Sequence, residues 1–320
     1  MKPNSKNIGL ISGPIAFILV LLFFHPEELN SESNAVLATT IWIAIWWITE
    51  AIPIAVTALI PIILFPLSGG LGLSETTASF GHKYVFLYVG GFIIAIAIQK
   101  WNLHKRIALN IINVIGTSVV NIILGFMVAT AVMSMWISNT ATAVMMLPIA
   151  LAIVSQLKDN PKTDKDENKT FGKALMLGIA YSASIGGVAT LIGTPPNLVL
   201  AGVVQESFGY EITFAQWFKF GLPISIILLL FCWKYLTSIA FSFKQKAFPG
   251  GRAEISRQLN KLGKISYEER LVAIVFALTA FAWVTRDNLL KIIVPVIDDT
   301  IIAMISAVII FILPTKNNKR

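Results

Sequence analysis

The chain contains 320 residues, of which 56% are hydrophobic and only 13% are charged. A chain this long and this apolar is not a single soluble domain, and we predict an all-α polytopic membrane protein. Its single cysteine, Cys232, excludes a disulfide framework and a thiolate metal site.

Nine apolar runs approach the roughly 20 residues that a helix needs to cross a bilayer. They lie at residues 8–24, 35–49, 51–67, 84–99, 118–157, 171–205, 215–237, 269–285 and 297–314. The first run follows Lys2 and Lys6 and lacks a small-residue cleavage site, so we predict a retained first helix rather than a signal peptide.

The Lys and Arg residues are distributed unevenly between the two sides of these runs. If the N-terminus is cytoplasmic and the fifth run enters and leaves on one side, 21 of the 25 lie inside. This bias sets membrane orientation and accounts for the net charge of +8, so we expect no nucleic-acid partner. A short N-terminus without organellar targeting predicts the plasma membrane of a bacterium, its inner membrane.

The fifth run, residues 118–157, has a polar centre. Five of the ten residues from Met133 to Thr142 are Ser, Asn or Thr. Non-helical backbone at bilayer depth is tolerated only where it is buried in protein or lines a cavity. We therefore predict a re-entrant hairpin, whose polar tip reaches bilayer depth.

The sixth run, residues 171–205, contains the segment Gly-Gly-Val-Ala-Thr-Leu-Ile-Gly-Thr-Pro-Pro-Asn at 186–197. Pro195 and Pro196 remove two backbone donors and disfavour helix before them, and Gly193 permits unusual dihedral angles. The sequence predicts a discontinuous helix with an unwound middle. Two interrupted elements of this kind indicate a transporter binding site.

Unwound helix ends offer carbonyl oxygens on one side and amide donors on the other. Carbonyls and hydroxyls suit a hard cation such as sodium, whereas amides and hydroxyls suit a carboxylate. Neither break contains Lys or Arg, so bound cations would have to balance the charge of an anion, which would couple the two. Taken singly, hydroxyls such as that of Thr142 commonly bond their own helix backbone.

Sequence motifs for catalysis are absent. His25, His82 and His104 are dispersed, and no paired metal-ligand spacing or nucleophile–base arrangement occurs. We predict that the protein is not an enzyme and has no cofactor, with Na+ as coupling ion only.

Three motifs carry a resemblance to a known family: Ser138-Asn139-Thr140 followed by Ala141-Thr142, the segment at 186–197, and Trp47-Ile48-Thr49-Glu50-Ala51-Ile52-Pro53. With these residues the chain resembles the divalent anion:sodium symporter family, whose members carry dicarboxylates, citrate or sulfate. The tripeptide alone is weakly specific, whereas the segment at 186–197 in the correct order after it is strongly so. The resemblance runs from about residue 8 to the end of the chain.

The resemblance implies an inverted-repeat transporter. Each repeat would have a re-entrant hairpin tipped by Ser-Asn-Thr and a broken helix, and a homodimer would work by elevator-type movement. It also implies a sodium site formed by Ser134, Ser138, Asn139 and the Gly193 carbonyl. Asn139 and Thr140 would bind one carboxylate of the substrate, with Thr194 close by.

The chain departs from this pattern because Ser-Asn-Thr occurs once and the sequence ends at Arg320. Trp283-Val284-Thr285-Arg286 echoes Trp47-Ile48-Thr49-Glu50 and suggests the start of a second repeat, which is incomplete in this chain. We expect four segments: an N-terminus with the first transmembrane helix at 1–34, a first repeat at 35–240, a basic cytoplasmic linker at 241–267, and a truncated second repeat at 268–320.

Our leading hypothesis is a sodium-coupled importer of dianionic carboxylates, such as the four-carbon succinate, of which this chain is a fragment that transports poorly alone. A dicarboxylate exchanger is one alternative, and a transporter of another oxyanion (sulfate, arsenite or citrate) is a second. A third, from another class, is a non-transporting membrane fragment or regulatory partner. The expected partners are the substrate dianion, sodium ions, the lipid bilayer and a second copy of the chain.

Overall fold

The structure is a computed structural model that describes residues 5–116, 118–155, 167–241, 243 and 251–316. Within these ranges every regular element is a helix and no strand occurs, which confirms the predicted all-α class. Parts of several predicted segments lie outside the described residues: the first four residues, the end of the hairpin at 156–157, positions 242 and 244–250 of the linker, and the last four residues.

The helices begin and end at the following residues. They are α1 (Ser5–Phe23), α2 (Ser31–Thr49), α3 (Ile54–Thr57), α4 (Ile60–Ser68), α5 (Leu73–Phe80), α6 (Lys83–Lys100), α7 (Leu103–Ile115), α8 (Val119–Ser134), α9 (Asn139–Val154), α10 (Glu167–Val188), α11 (Pro195–Phe208), α12 (Phe214–Tyr235), α13 (Gly251–Leu262), α14 (Tyr267–Thr285), α15 (Lys291–Ile293) and α16 (Asp299–Ile312). Two π-helical turns, Leu236–Ala240 and Arg286–Leu290, extend α12 and α14.

Four helical segments of the described residues are long and apolar enough to cross a membrane: Ser5–Phe23, Leu73–Lys100, Lys169–Val188 and Phe214–Ala240. Helices α8 and α9 are equally apolar but have 16 residues each. At a rise of 1.5 Å per residue, each is about 24 Å long, which is less than the hydrocarbon core of about 30 Å. The long apolar segments and the helical content are those of a multi-pass membrane protein.

The chain forms two compact units, Met1–Val85 and Phe86–Arg320. In the first unit α1 packs along α2 through two buried glycines, Gly9 and Gly13. A Cβ atom on Gly9 would lie 1.9 Å from Thr49 Oγ1, and one on Gly13 would lie 2.5 Å from Trp42 Cδ1. Small residues four apart let membrane helices approach closely, and these two glycines bring α1 against α2.

In the second unit, α8 lies in the centre of the apolar core, between α7 and α10. Phe126 on α8 and Phe171 on α10 are fully buried. A Cβ atom on Gly125 would be 3.1 Å from Ile112 Cα, and one on Gly186 would be 2.3 Å from the Ala131 carbonyl oxygen. Glycines on both sides of α8 therefore let its backbone approach the neighbouring helices, which places the end of α8 beside the end of α10.

The described part of the predicted basic linker contains α13, and one side of this helix packs against the second unit. Ile255 is fully buried in the core of the second unit. The neighbouring Glu254 is also buried, and its carboxylate accepts hydrogen bonds from Arg257 at 2.7 Å and from Gln258 at 3.0 Å. Burial of one apolar stripe ties α13 to α7 and α9.

A two-point ion pair joins α7 to the first turn of α14. Arg106 Nη2 donates to Glu269 Oε2 at 3.1 Å, and Arg106 Nε donates to Glu269 Oε1. The Glu269 side chain is only 5% exposed, and its backbone N–H and carboxylate also form a capping box with Ser266. Such a buried, bidentate pair fixes the start of α14 relative to α7.

We predict that Gly13→Ala destabilises the first unit by about 1–3 kcal/mol because the added methyl group collides with the rings of Trp42 and Trp46. The matched control is Gly72→Ala, since a Cβ atom at Gly72 meets no atom within 4 Å. Thermal unfolding of the detergent-solubilised protein measures both. Equal melting temperatures for the two variants would contradict the close approach of α1 and α2.

Candidate functional site

Residues 135–138 form the tip of a helical hairpin between α8 and α9. Ser138 caps α9, because its Oγ accepts a hydrogen bond from the Ala141 N–H at 3.3 Å and its carbonyl accepts one from the Thr142 N–H at 2.9 Å. The amides of Asn139 and Thr140 belong to the first turn of α9 and have no carbonyl partner inside the helix. The tip thus presents backbone donors at the positive end of the helix dipole.

The buried hydroxyl of Ser134 joins the hairpin to α10. Its Oγ atom lies 2.7 Å from Asn139 Oδ1 and 2.6 Å from the carbonyl oxygen of Ala183. A second contact comes from Thr190, whose hydroxyl donates to the Met135 carbonyl. Ser134 and Met135, at the α8 end of the hairpin, are therefore both attached to the neighbouring broken helix.

The break lies between Val188, where α10 ends, and Pro195, where α11 begins. The last carbonyls of a helix have no partner within it and must find donors elsewhere. Side chains on the next two helices, α11 and α12, donate hydrogen bonds to the carbonyls of Ile185, Gly187 and Val188. Ser225 Oγ donates to Ile185 O at 2.8 Å, Asn197 Nδ2 to Gly187 O at 2.9 Å, and Trp217 Nε1 to Val188 O at 2.9 Å.

Asn197 holds both sides of the break. Its buried Nδ2 also donates to the Thr190 carbonyl at 2.8 Å, so one amide group joins the end of α10 to the unwound segment. Among the described residues, no hydrogen bond reaches the buried carbonyl of Gly193. The carbonyls of Gly187 and Thr190 are thus satisfied by Asn197, while that of Gly193 has no donor among the described residues.

Glycines bring the hairpin tip and the break together. A Cβ atom on Gly187 would lie 2.4 Å from Asn139 Oδ1, and one on Gly193 would lie 2.4 Å from the Gly187 carbonyl oxygen. Gly187 thus lies between Asn139 and Gly193, which are 54 positions apart in the sequence. Any side chain at Gly187 would push the two apart.

Of the predicted site residues, the structure brings Ser134 and Asn139 into direct contact. Ser138 precedes Asn139 and caps α9. Asn139 and Gly193 both lie close to Gly187. Thr140 is exposed and Thr194 is half-buried. Neither of these two threonine hydroxyls bonds to another described residue, so both are available to a ligand.

The sequence did not single out four residues that shape this site: Ala183, Asn197, Trp217 and Ser225. Asn197 lies in the segment at 186–197, and a polar side chain directly after two prolines could have identified it as a residue that bonds across the break. Trp217 and Ser225 lie on α12. They donate to the carbonyls of Val188 and Ile185, which are 29 and 40 residues away in the sequence. Ala183 contributes only its backbone, for which no sequence pattern exists.

Comparison with known proteins gives the family of the chain. The family described as the sodium:sulfate symporter transmembrane region matches residues 4–315. The chain belongs to this family. Residues 134–142, which include the tip, and residues 186–197, which include the break, contain no charged side chain. The candidate site therefore consists of neutral hydroxyl, amide and backbone groups.

Two curated members of the family are similar over nearly the whole chain. The sodium-dependent dicarboxylate transporter SdcS of Staphylococcus aureus (strain USA300) is 48% identical over 326 residues, covering 100% of this chain and 62% of that transporter. SdcS of Staphylococcus saprophyticus is 47% identical over 317 residues, covering 98% of this chain and 61% of that transporter. The chain spans about three fifths of the length of these relatives. The family and both names are those of transporters, not enzymes.

We predict that Gly187→Ala in this symporter-family chain displaces the Asn139 amide and lowers stability by about 1–3 kcal/mol. The control is Gly172→Ala on the same helix, where the new methyl group would rest at an ordinary 3.5 Å from Val154 Cγ1. Gly172→Ala should be neutral or stabilising by up to about 1 kcal/mol, because Ala favours helix over Gly. Thermal unfolding compares the two, and equal effects would contradict the close contact.

We predict that Asn197→Ala costs about 1–3 kcal/mol, because two buried carbonyls lose their donor. Asn110→Ala is the matched control, since its exposed amide donates to the Arg106 carbonyl and its loss should stay within about 0.5 kcal/mol. The measurement is the melting temperature of each variant. An Asn197 variant as stable as the Asn110 variant would show that the break does not depend on this side chain.

Proposed function

We propose that the protein is a sodium-coupled transporter of dianionic carboxylates, with four-carbon dicarboxylates such as succinate as its substrates. The supporting observation is the close approach of Ser134, Asn139, Gly187 and Gly193 between the hairpin and the break, since these residues carry only neutral oxygen atoms. Membership of the symporter family and the names of the two SdcS relatives also support this reading.

We assign sodium binding to Ser134, Ser138, Asn139 and the Gly193 carbonyl. The Ser134 hydroxyl has one proton but lies within hydrogen-bond distance of two oxygens, Asn139 Oδ1 and Ala183 O. One of these oxygen pairs therefore has no hydrogen between its atoms, and a hard cation prefers such an oxygen-rich position. If the Asn139 amide is turned over, its Nδ2 donates to Ser134 Oγ and no cation is needed there. Sodium titration distinguishes this arrangement from one with a bound cation.

We assign one carboxylate of the substrate to Asn139 and Thr140, with Thr194 beside it. The first-turn amides of α9 and the hydroxyl of exposed Thr140 are donors, and helix N-termini favour anions. Thr194 caps α11 without using its side chain, which leaves its hydroxyl for a ligand. Since no basic side chain lies in the tip or the break, sodium would supply the positive charge, and this makes substrate binding depend on sodium.

The finer architecture belongs to the same proposal. We propose two inverted repeats with re-entrant hairpins, elevator-type movement, a homodimer, and insertion in a bacterial plasma membrane with a cytoplasmic N-terminus. The supporting observations are the Lys and Arg bias in the sequence and the resemblance to the family.

We predict that NaCl, but not choline chloride, raises the melting temperature of the purified protein. A ligand that binds only the folded state stabilises it, by about 2.7 kcal/mol at a concentration one hundred times its dissociation constant. Asn139→Ala and Ser134→Ala should remove the sodium effect, whereas Asn110→Ala should retain it. Equal melting curves in the two salts would refute the sodium site.

Uptake of labelled succinate into proteoliposomes tests the transport claim. Because we predict that this chain transports poorly alone, we expect slow uptake that requires an inward sodium gradient. Uptake that needs internal dicarboxylate instead of sodium would establish an exchanger, and stronger competition by sulfate, citrate or arsenite than by succinate would establish another oxyanion as substrate. Unchanged uptake by Asn139→Ala would exclude the assigned site.

A further inference from the structure

Arg286, directly after α14, carries a deeply buried charge. Its side chain is 1% exposed and lies between three acids: Nη1 is 3.1 Å from Asp299 Oδ2, Nη2 is 3.3 Å from Glu211 Oε2, and Nε is 3.3 Å from Asp287 Oδ1. A buried guanidinium is costly unless it is paired in good geometry, and removing one partner of such a pair strongly destabilises its surroundings. Asp287 accepts a hydrogen bond from Nε, whereas the contact of Nη1 with Asp299 is an ion pair without hydrogen-bond geometry. The buried charge of Arg286 thus holds the three acids around it by electrostatic attraction.

Asp299 also accepts hydrogen bonds from two neighbouring elements, α12 and α14. Its carboxylate Oδ2 accepts a hydrogen bond from the backbone N–H of Phe214 at 2.8 Å, at the start of α12. Its backbone carbonyl accepts one from Trp283 Nε1 at 3.0 Å. The rings of Phe214 and Trp283 are both buried, and they stack with centroids 4.9 Å apart.

These two rings meet the hairpin tip. Trp136 lies in the tip, between Ser134 and Ser138, and its ring is nearly parallel to that of Trp283, with centroids 6.4 Å apart and planes 6° apart. It also stacks on Phe214, with centroids 6.0 Å apart, and meets Phe276 edge-on at 4.8 Å. Aromatic contacts of these kinds each contribute about 0.5–1.5 kcal/mol beyond area burial.

We propose that Arg286 is a positioning residue for the hairpin tip, acting through Asp299 and the Trp283 and Phe214 rings on Trp136. The tip residues are held locally by two hydrogen bonds to the Met133 carbonyl, from Trp136 N and Ile137 N. Without the aromatic support, this single turn opens more often, and Ser134 and Asn139 separate. The effect on sodium affinity rests on the proposed function, whereas the effect on the tip does not.

Hydrogen exchange of the peptide covering residues 134–141 tests the positioning role directly. We expect Arg286→Gln to speed exchange in this peptide by about tenfold, as for residues coupled in one network. Arg286→Lys keeps the charge but lacks the fork that reaches three acids, so it should fold while still loosening the tip. Trp136→Ala should act like Arg286→Gln, and Trp136→Phe should restore slow exchange because an aromatic ring remains.

Arg106→Gln is the matched control, because it removes the other buried ion pair of α14. Glu269 and Arg286 are 17 positions apart, which is about 25 Å along a helix. This control should loosen α7 and the start of α14 while leaving exchange at 134–141 unchanged. Wild-type exchange at the tip in both Arg286→Lys and Trp136→Ala, or equal tip loosening in Arg106→Gln, would overturn the proposal.

Sodium titration of the melting temperature supplies the second readout. We expect the half-saturating sodium concentration to rise about fivefold in Arg286→Lys and Trp136→Ala, and to stay at the wild-type value in Trp136→Phe and Arg106→Gln. An unchanged concentration in Arg286→Lys would overturn the effect on the site. A wild-type protein that ignores sodium would instead refute the proposed function, and hydrogen exchange would still decide the role of Arg286.

Discussion

Backbone groups inside a membrane have no water to bond with, and the site depends on how this chain meets that requirement. A helix that ends at Val188 leaves carbonyls without partners, each of which would cost several kcal/mol in hydrocarbon. Donors on α11 and α12 meet most of this need, with Asn197 bonding across the break and Trp217 and Ser225 reaching it from α12. The unwound segment is therefore part of a packed structure.

The same accounting explains why the candidate site is built from neutral groups. These side chains satisfy carbonyls that end α10, while the Gly193 carbonyl has no donor among the described residues. Asn139 and Gly193 both lie close to Gly187 because Gly187 has no side chain. A charged side chain here would need its own partner in a low-dielectric setting. Neutral oxygens and amides avoid that cost.

The two ends of α14 are fixed by buried ion pairs with different surroundings. Arg106 and Glu269 form a two-point pair near the described linker helix α13, while Arg286 stands among three acids beside the aromatic rings that touch the hairpin tip. Buried ion pairs contribute little net stability but tolerate little displacement. In this chain they relate the start of the predicted second repeat to the helices of the first.

The sequence by itself determined the helical class, the polar tip of the hairpin and the place of the break, because apolar run length, clustered Ser and Thr, and adjacent prolines act locally. It also identified the family. The domain boundaries and the roles of the site residues stay predictions.

Only the tertiary structure decided which atoms meet. Ser134 contacts the Ala183 carbonyl, which is 49 residues away in the sequence, and Trp217 donates to the Val188 carbonyl, 29 residues away. Arg286 forms ion pairs with Glu211 and Asp299, which lie in different parts of the chain. Such contacts depend on how helices approach one another, which here is set by glycines such as Gly186 and Gly187 that admit a neighbouring backbone or side chain. No local pattern encodes that distance, because a glycine is equally compatible with a turn, a helix and a close contact.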